Sequence, residues 1–566
     1  MDPHPSTGLD RRSFMAWFSA MGLGGSLLPG ILWARMQEAP LTREVVADAE
    51  RLAGLTFTDL ERDMMLEGLE ENRTAYHRLR EAPIPNEVPP AVRFDPQLPG
   101  TAPQVEDRPF RPSRPGPLAR PGTPEEVAFA PVTVLGELVR TRQISSYELT
   151  RLYLDRLDRH GPELEAVITL TEERALRQAR EADREIAHGR YRGPLHGIPW
   201  GAKDLLAVDG YPTTWGARPY ASQEIEGDAT VVRRLDEAGA VLVAKLTLGA
   251  LAMGDHWFGG RTRNPWNPEQ GSSGSSAGSA AATVAGLVGF AIGSETLGSI
   301  VSPATRTGAT GLRPTFGRVS RAGAMALSWS MDKLGPLCRS VEDCALVLHA
   351  IHGADGRDPT ARTVPFPWDG EAGLRGLRVG YAPEAFQGDE GTAAFDRGVL
   401  EVVRELGVEP VPVELPDAFP LDALQVILTA EAAAAFDDLT RTGQDDELVR
   451  QTPGSWPNLF RTARFIPAVE YLQANRVRTM VMGALDAALA GVDVLLTPSF
   501  APGVLLMTNL TGHPAVVLPS GFRDGGTPVS FSFVGGLWKD ADALRLAKAY
   551  QDATGHHLKH PARFGG

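Results

Sequence analysis

Between Gly271 and Gly311 the chain reads GSSGSSAGSAAATVAGLVGFAIGSETLGSIVSPATRTGATG. The stretch is crowded with glycine and serine, yet a linker of that composition stays polar and repetitive throughout. Here the serines frame an apolar run, Ala280 to Ile292, and return as Ser294, Ser299 and Ser302. Gly274, Ser275 and Ser276 open an apolar helix with residues small enough for a tight backbone, and a folded chain has to bury that helix. What needs explaining is why so many small hydroxyl residues sit beside it.

Serine is a weak nucleophile at neutral pH and needs a base within hydrogen-bond reach. Acyl transfer also needs donors aimed at the oxygen that becomes negative. The turn from Gly293 to Ser299 suits the second task. Thr296, Leu297, Gly298 and Ser299 could aim successive backbone N–H groups at one point, with Ser299 at the end of the apolar segment. The serine-hydrolase elbow G-x-S-x-G is not matched by Gly271–Ser275. For the base, twelve histidines keep a Ser-His-Asp arrangement open. Lys203, at the end of the apolar strand in GIPWGAKDLL, is the other choice, because burial lowers a lysine pKa toward a neutral, basic amine. A lysine snorkelling out of a strand end is the bland reading of the same residue. Residue types alone leave the base open.

The surroundings read as α/β. Two helices are expected over residues 40–82, the second opened by the capping-box pattern Thr58 to Glu61. Residues 83–131 are rich in proline and read as an extended segment without chemistry of its own. From 132 onward, strands alternate with helices: strands in PLHGIPWGAKDLL, AVLVAKL, LRGLRVGYAP, VEPVPVEL, VDVLLTPSF, AVVLPSGF and FSFVGG, and helices between them. This predicts one large domain around a mixed β-sheet surrounded by helices, with an N-terminal helical arm. A formal net charge of -14 argues against nonspecific nucleic-acid binding. Two cysteines, Cys338 and Cys344, are too few for a disulfide framework or a zinc site, and read as free thiols.

The N-terminus reads DRRSFM over residues 10–15, followed by an uncharged apolar run broken by Gly22, Gly24, Gly25, Pro29 and Gly30. A paired arginine ahead of a modest apolar run is the layout of a twin-arginine export signal, and the interruptions make a stable membrane span a poor reading. Cleavage after Ala34 and a periplasmic or secreted location are the expectations.

Together these motifs resemble the amidase signature family. The family pattern G-G-S-S-G-G-S is similar to Gly274-Ser275-Ser276-Ala277-Gly278-Ser279, and G-T-D-T-G-G-S-I-R to Gly293-Ser294-Glu295-Thr296-Leu297-Gly298-Ser299-Ile300-Val301. The 24-residue interval from Ser275 to Ser299 is the family's own. GIPWGAKDLL, RTRNPWNPE, TGLRPTFGRVSRAG and NLTGHPAVVLPSGF resemble further family segments in order, over about residues 130–560.

The resemblance implies a Ser-cisSer-Lys triad. Ser299 is then the nucleophile, Ser275 the bridging serine after a cis peptide, and Lys203 the base. The N–H groups of Thr296, Leu297, Gly298 and Ser299 form the oxyanion hole. No metal or cofactor is implied. Met253, Ser276 and Trp257 are expected to contact substrate, in a wall that also holds His256 and Phe258. Three positions depart from the pattern: Leu297 for a glycine, Val301 for an arginine, with loss of local ion pairing, and Glu295 for an aspartate. The expected activity is hydrolysis of a small-molecule carboxylic amide, with esters or carbamates sharing the mechanism. A glutaminase subunit of a tRNA-dependent amidotransferase and a noncatalytic binding relative are the alternatives. The chain is expected to divide into a signal peptide, 1–34, a helical arm and proline-rich segment, 35–131, and an amidase domain, 132–566.

Overall fold

The computed structural model describes residues 41–565, apart from residues 82–83, 87, 114–115, 117 and 388–390. The export pattern and its cleavage point lie outside the described residues. The chain divides into two units at Pro85 and Asn86.

Among the described residues, the first unit holds two helices, Arg43–Ala53 and Asp59–Arg80. Thr58 and Glu61 form the expected reciprocal capping box. The first helix ends at Gly54, whose left-handed φ of 66° suits a residue without a β-carbon. Arg62 clamps Glu50 through two hydrogen bonds of 2.8 Å.

The second unit is built on an eleven-stranded sheet. Its strands, in chain order, are β1 (Val167–Leu170), β2 (Pro199–Lys203), β3 (Val241–Leu246), β4 (Phe290–Glu295), β5 (Thr310–Arg313), β6 (Lys333–Cys338), β7 (Val379–Tyr381), β8 (Val411–Pro412), β9 (Val494–Pro498), β10 (Ala515–Phe522) and β11 (Pro528–Gly535). The spatial order is β1-β3-β2-β4-β6-β5-β10-β11-β9-β7-β8. β2 runs parallel to β3 and to β4, while β4, β6, β5, β10, β11 and β9 pair antiparallel in succession. Every residue of β2, β3, β4 and β6 is buried. That is why these segments read as continuous apolar runs rather than alternating ones. Helices cover the sheet with apolar stripes. Helix Glu172–Ala187 turns Ala175, Ala179, Ala182 and Ile186 inward at helical spacing.

Three sequence expectations change in detail. The run Ala280–Ile292 is not one helix: helix Ala277–Val284 ends at a turn through Gly286 (φ 65°), and the chain re-enters the sheet as β4. The proline-rich segment carries a short helix, Pro124–Phe129, because Thr123 and Glu126 cap it. The strand expected in VEPVPVEL shrinks to β8 at the sheet edge, where Pro410 and Pro412 have no N–H to give a ladder. Cys338 and Cys344 are buried and free. No described helix is long and apolar enough to cross a membrane.

Candidate active site

Lys203 is the last residue of β2, and with β3 and β4 on either side its side chain is fully buried. Its Nζ lies 2.8 Å from Ser275 Oγ, 3.0 Å from Ser276 Oγ and 2.8 Å from Ser294 Oγ. The neighbouring strand gives a useful contrast. Lys245, also buried, pairs with Asp204 at 2.7 Å. The hydrogen-bond partners of Lys203 among the described residues are hydroxyls alone. Burial pushes its pKa well down, and the more distant carboxyl groups of Asp332 and Glu295 oppose that shift without cancelling it.

The small residues let two backbones meet here. The Gly274–Ser275 peptide is cis. A β-carbon on Gly274 would lie 1.9 Å from Gly254 O, so only glycine fits. Ser276 begins helix Ala277–Val284, and its Oγ donates to Ser294 O at 3.0 Å while accepting from Ser294 N at 3.1 Å. That pair of bonds ties the helix start to β4. Gly293 stands opposite Ser276, where a β-carbon would come within 2.7 Å of Ser276 Oγ.

After β4 the chain turns through Thr296–Ser299 into helix Val301–Thr307, with Gly298 at φ 79°. Two carboxylates hold this turn. Glu295 Oε2 accepts from Ile300 N at 2.8 Å and Val301 N at 2.9 Å, and Oε1 accepts from Arg313 and Asn509 at 2.9 Å each. Burial alone would raise the Glu295 pKa. The Arg313 guanidinium, Lys333 and the hydrogen bonds outweigh it and hold the carboxyl at about 2. Asp332 accepts from Thr296 Oγ1 at 2.6 Å and from the N–H groups of Leu327 and Ser328. Thus held, the N–H groups of Thr296, Leu297, Gly298 and Ser299 donate to no protein acceptor among the described residues. Ser299 O accepts from Ser276 N at 3.2 Å, which joins the two serine segments. Among the described residues, no hydrogen bond links Ser275 Oγ to Ser299 Oγ.

The structure therefore brings Lys203, Ser275, Ser276 and the Thr296–Ser299 turn together. Ser276 lies beneath the lysine, fully buried. Met253 borders a small recess with Ala250, His256, Leu448 and Trp456. Trp257 folds over its own hairpin against Phe258, with ring centroids 5.0 Å apart. Neither is in hydrogen-bond contact with the serines. Glu431 is held by Ser328, Ser330 and Tyr471, and His513, buried and bonded to Thr511, has its pKa lowered to about 3 by burial. Val301 is packed in an apolar cluster with Ile300 and Leu337. Glu295, six residues before Val301, where the helix begins, is ion-paired with Arg313 at 2.9 Å. A cavity of about 70 Å³ lies beside Ser294, Thr296 and Asp332, walled by Leu205, Met325 and Trp329. Ser294, Asp332 and this wall escape a reading of the sequence. Their roles depend on β2, β4 and β6 being brought together in one sheet, which no local pattern encodes.

The Amidase family profile matches residues 148–506. A glutamyl-tRNA(Gln) amidotransferase chain of Chloroflexus aggregans is 36% identical over 485 residues, covering 77% of this chain and 99% of its own. The protein of the same name from Moorella thermoacetica is 35% identical over 485 residues, with the same coverage. Among solved structures, native peptide amidase from Stenotrophomonas maltophilia is 33% identical with a TM-score of 0.67, covering 75% of this chain and 97% of its own. These relatives correct the expected periplasmic or secreted location. The curated ones are named as subunits of a glutamyl-tRNA(Gln) amidotransferase, which counts against export.

Proposed function

We propose that this chain, which belongs to the amidase signature family, hydrolyses a carboxylic amide through an acyl-enzyme on Ser299. The observation that carries the reading is the pairing of a fully buried lysine with a turn ending at a serine; among the described residues the lysine amine meets only hydroxyls, and the four N–H groups of the turn have no acceptor.

The proton path follows from hydrogen-bond bookkeeping. Ser276 spends its own proton on Ser294 O, so toward Lys203 its oxygen can only accept. A neutral Lys203 has two N–H bonds, which serve Ser276 and Ser294. Its lone pair is left for the Ser275 hydroxyl. Ser275 passes its proton to Lys203 and takes one from Ser299, whose Oγ attacks the amide carbon. The oxyanion then meets the N–H groups of Thr296, Leu297, Gly298 and Ser299, which need no rearrangement to donate. Collapse breaks the C–N bond as Lys203 returns the proton, through Ser275, to the departing nitrogen. Water, deprotonated by the same relay, releases the acid and restores Ser299.

A second reading makes the amide that of glutamine and the product ammonia, with the chain acting as the glutaminase subunit of a tRNA-dependent amidotransferase. The curated relatives, matched over 99% of their length, support it more directly than they support a free-standing amidase. The peptide amidase likeness supports the hydrolysis of a peptide amide. One panel separates the two readings: ammonia, amine and acid release from glutamine, a C-terminal peptide amide, an aryl amide, an ester and a carbamate. Preference for glutamine favours the amidotransferase role. Failure of every amide, with Ser299 inert to a serine-directed probe, overturns both.

A further inference from the structure

Glu431 is a buried carboxylate that the proton path through Lys203 does not use. It stands in helix Gln425–Ala435, in a run that otherwise reads as alanines from Ala430 to Ala435. A carboxylate taken out of water in such a place is unfavourable unless its oxygens are hydrogen-bonded. Four donors meet it. Oε2 accepts from Ser328 Oγ at 2.6 Å and from Ser330 N at 3.0 Å. Oε1 accepts from Ser330 Oγ and from Tyr471 Oη at 2.8 Å each.

Three of these donors belong to one short loop, residues 327–332. Arg478, fully buried, grips the same loop with its guanidinium, donating to Ser330 Oγ and to Ser330 O at 2.9 Å each. The Ser330 hydroxyl thus donates to Glu431 and accepts from Arg478, and so stands between the two opposite charges.

The loop ends at Asp332, which holds the turn before Ser299. Asp332 Oδ2 accepts from Leu327 N at 2.8 Å and from Ser328 N at 3.0 Å, and Asp332 N donates to Ser328 O at 3.0 Å, so the loop closes on itself. Asp332 Oδ1 faces outward from the loop and accepts from Thr296 Oγ1 at 2.6 Å. Ser328 is therefore shared, its hydroxyl held by Glu431 and its N–H by Asp332. From Glu431 through Ser328 and Asp332 to Thr296 runs one chain of hydrogen bonds, and all four residues are buried. A buried chain of this kind fixes one end relative to the other. Oxyanion donors act through placement, and a misplacement of about 1 Å costs about 10²-fold in rate.

We propose that Glu431 is a positioning residue for amide hydrolysis: by fixing Ser328 and Ser330 it sets Asp332, and through Asp332 the Thr296 end of the turn whose N–H groups receive the oxyanion. This rests on the amidase reading of Ser299. The oxyanion forms only on the way to the transition state, so the effect falls on kcat rather than on KM. The test uses the amide that wild type cleaves fastest, in wild type, Glu431→Ala, Glu431→Gln, Thr296→Val and the double variant of Glu431→Gln with Thr296→Val. Thermal unfolding of each variant lets kcat be counted per folded molecule. Glu431→Gln keeps the volume and one acceptor oxygen. Thr296→Val keeps the branched shape and the N–H, and removes the bond to Asp332. The expected result is a kcat lowered about 10²-fold in Glu431→Ala and about 10-fold in Glu431→Gln, with KM changed less than about twofold. In the Thr296→Val background the chain is already cut, so Glu431→Gln lowers kcat by less than about twofold further. Where Glu431→Ala does not fold, Glu431→Gln and the double variant decide. Wild-type kcat in Glu431→Gln, or losses that multiply fully in the double variant, overturn the inference while leaving Ser299 catalysis standing. Absence of both amide turnover and Ser299 labelling in wild type overturns it together with the reading it rests on.

Discussion

At the scale of single residues, the proposed chemistry depends on an amine being neutral where amines are ordinarily charged. With Lys203 as the proposed base, activity needs it unprotonated, so the rate rises with pH and levels off above its pKa. Because burial lowers that pKa, the rising limb of kcat/KM falls well below the ordinary lysine range. A pH–rate profile checks this; a limb at the ordinary lysine position contradicts it. Lys203→Ala loses about 10²–10⁴-fold in kcat, the usual worth of a general base. Lys203→Arg is no better, since a guanidinium does not give up its proton. Much of this is legible in sequence: Gly274-Ser275-Ser276, Gly298-Ser299 and the lysine after an apolar strand carry the resemblance. Residue type alone cannot choose between lysine and histidine, because the choice turns on burial. Nor can it place Ser276, whose position under Lys203 emerges only once β2 and β4 are side by side.

At the scale of elements, the helix Ala277–Val284 and β4 approach so closely that added atoms have nowhere to go. Just before that helix, Gly274→Ala puts a β-carbon against Gly254 O, and overpacking of this kind costs about 1–3 kcal/mol or more. Thermal unfolding of that variant should therefore begin several degrees lower, whereas Gly54→Ala, with no atom within 4 Å of its β-carbon, loses only the ease of its left-handed turn. The turn before Ser299 is held by Glu295, whose carboxyl titrates at about 2 in the fold against 4.5 unperturbed. A depressed carboxyl pKa adds stability that is fully present above pH 4.5 and is lost as pH falls through 2. Glu295→Gln removes that part of the acid sensitivity and leaves Arg313 buried without its counter-charge, at a cost of about 3–5 kcal/mol. Acid unfolding followed by circular dichroism, wild type against variant, measures both effects. Elements with strong periodicity are readable in sequence. The division of Ala280–Ile292 into helix and strand is not, because both halves are buried on all sides and lose their period.

At the scale of the whole molecule, the mixed sheet is what assembles the site. β2 brings the lysine, the stretch between Gly274 and Ser299 brings both serines, and β6, next to β4, follows directly on Asp332. The fold class is legible because strands and helices alternate over several hundred residues. The strand order is not, since it is fixed by which buried faces fit one another. The proline-rich segment reads as inert in sequence, and it is the contacts of Asn86 and Pro89 that give it a place beside the site. The proposed roles of Ser299 as nucleophile and Lys203 as its base are open to a direct chemical test, a serine-directed fluorophosphonate probe followed by peptide mapping by mass spectrometry. A single adduct on Ser299 is expected in wild type, strongly slowed in Lys203→Ala and absent in Ser299→Ala. An adduct on another serine, or labelling of Ser299 at the wild-type rate in Lys203→Ala, contradicts these roles.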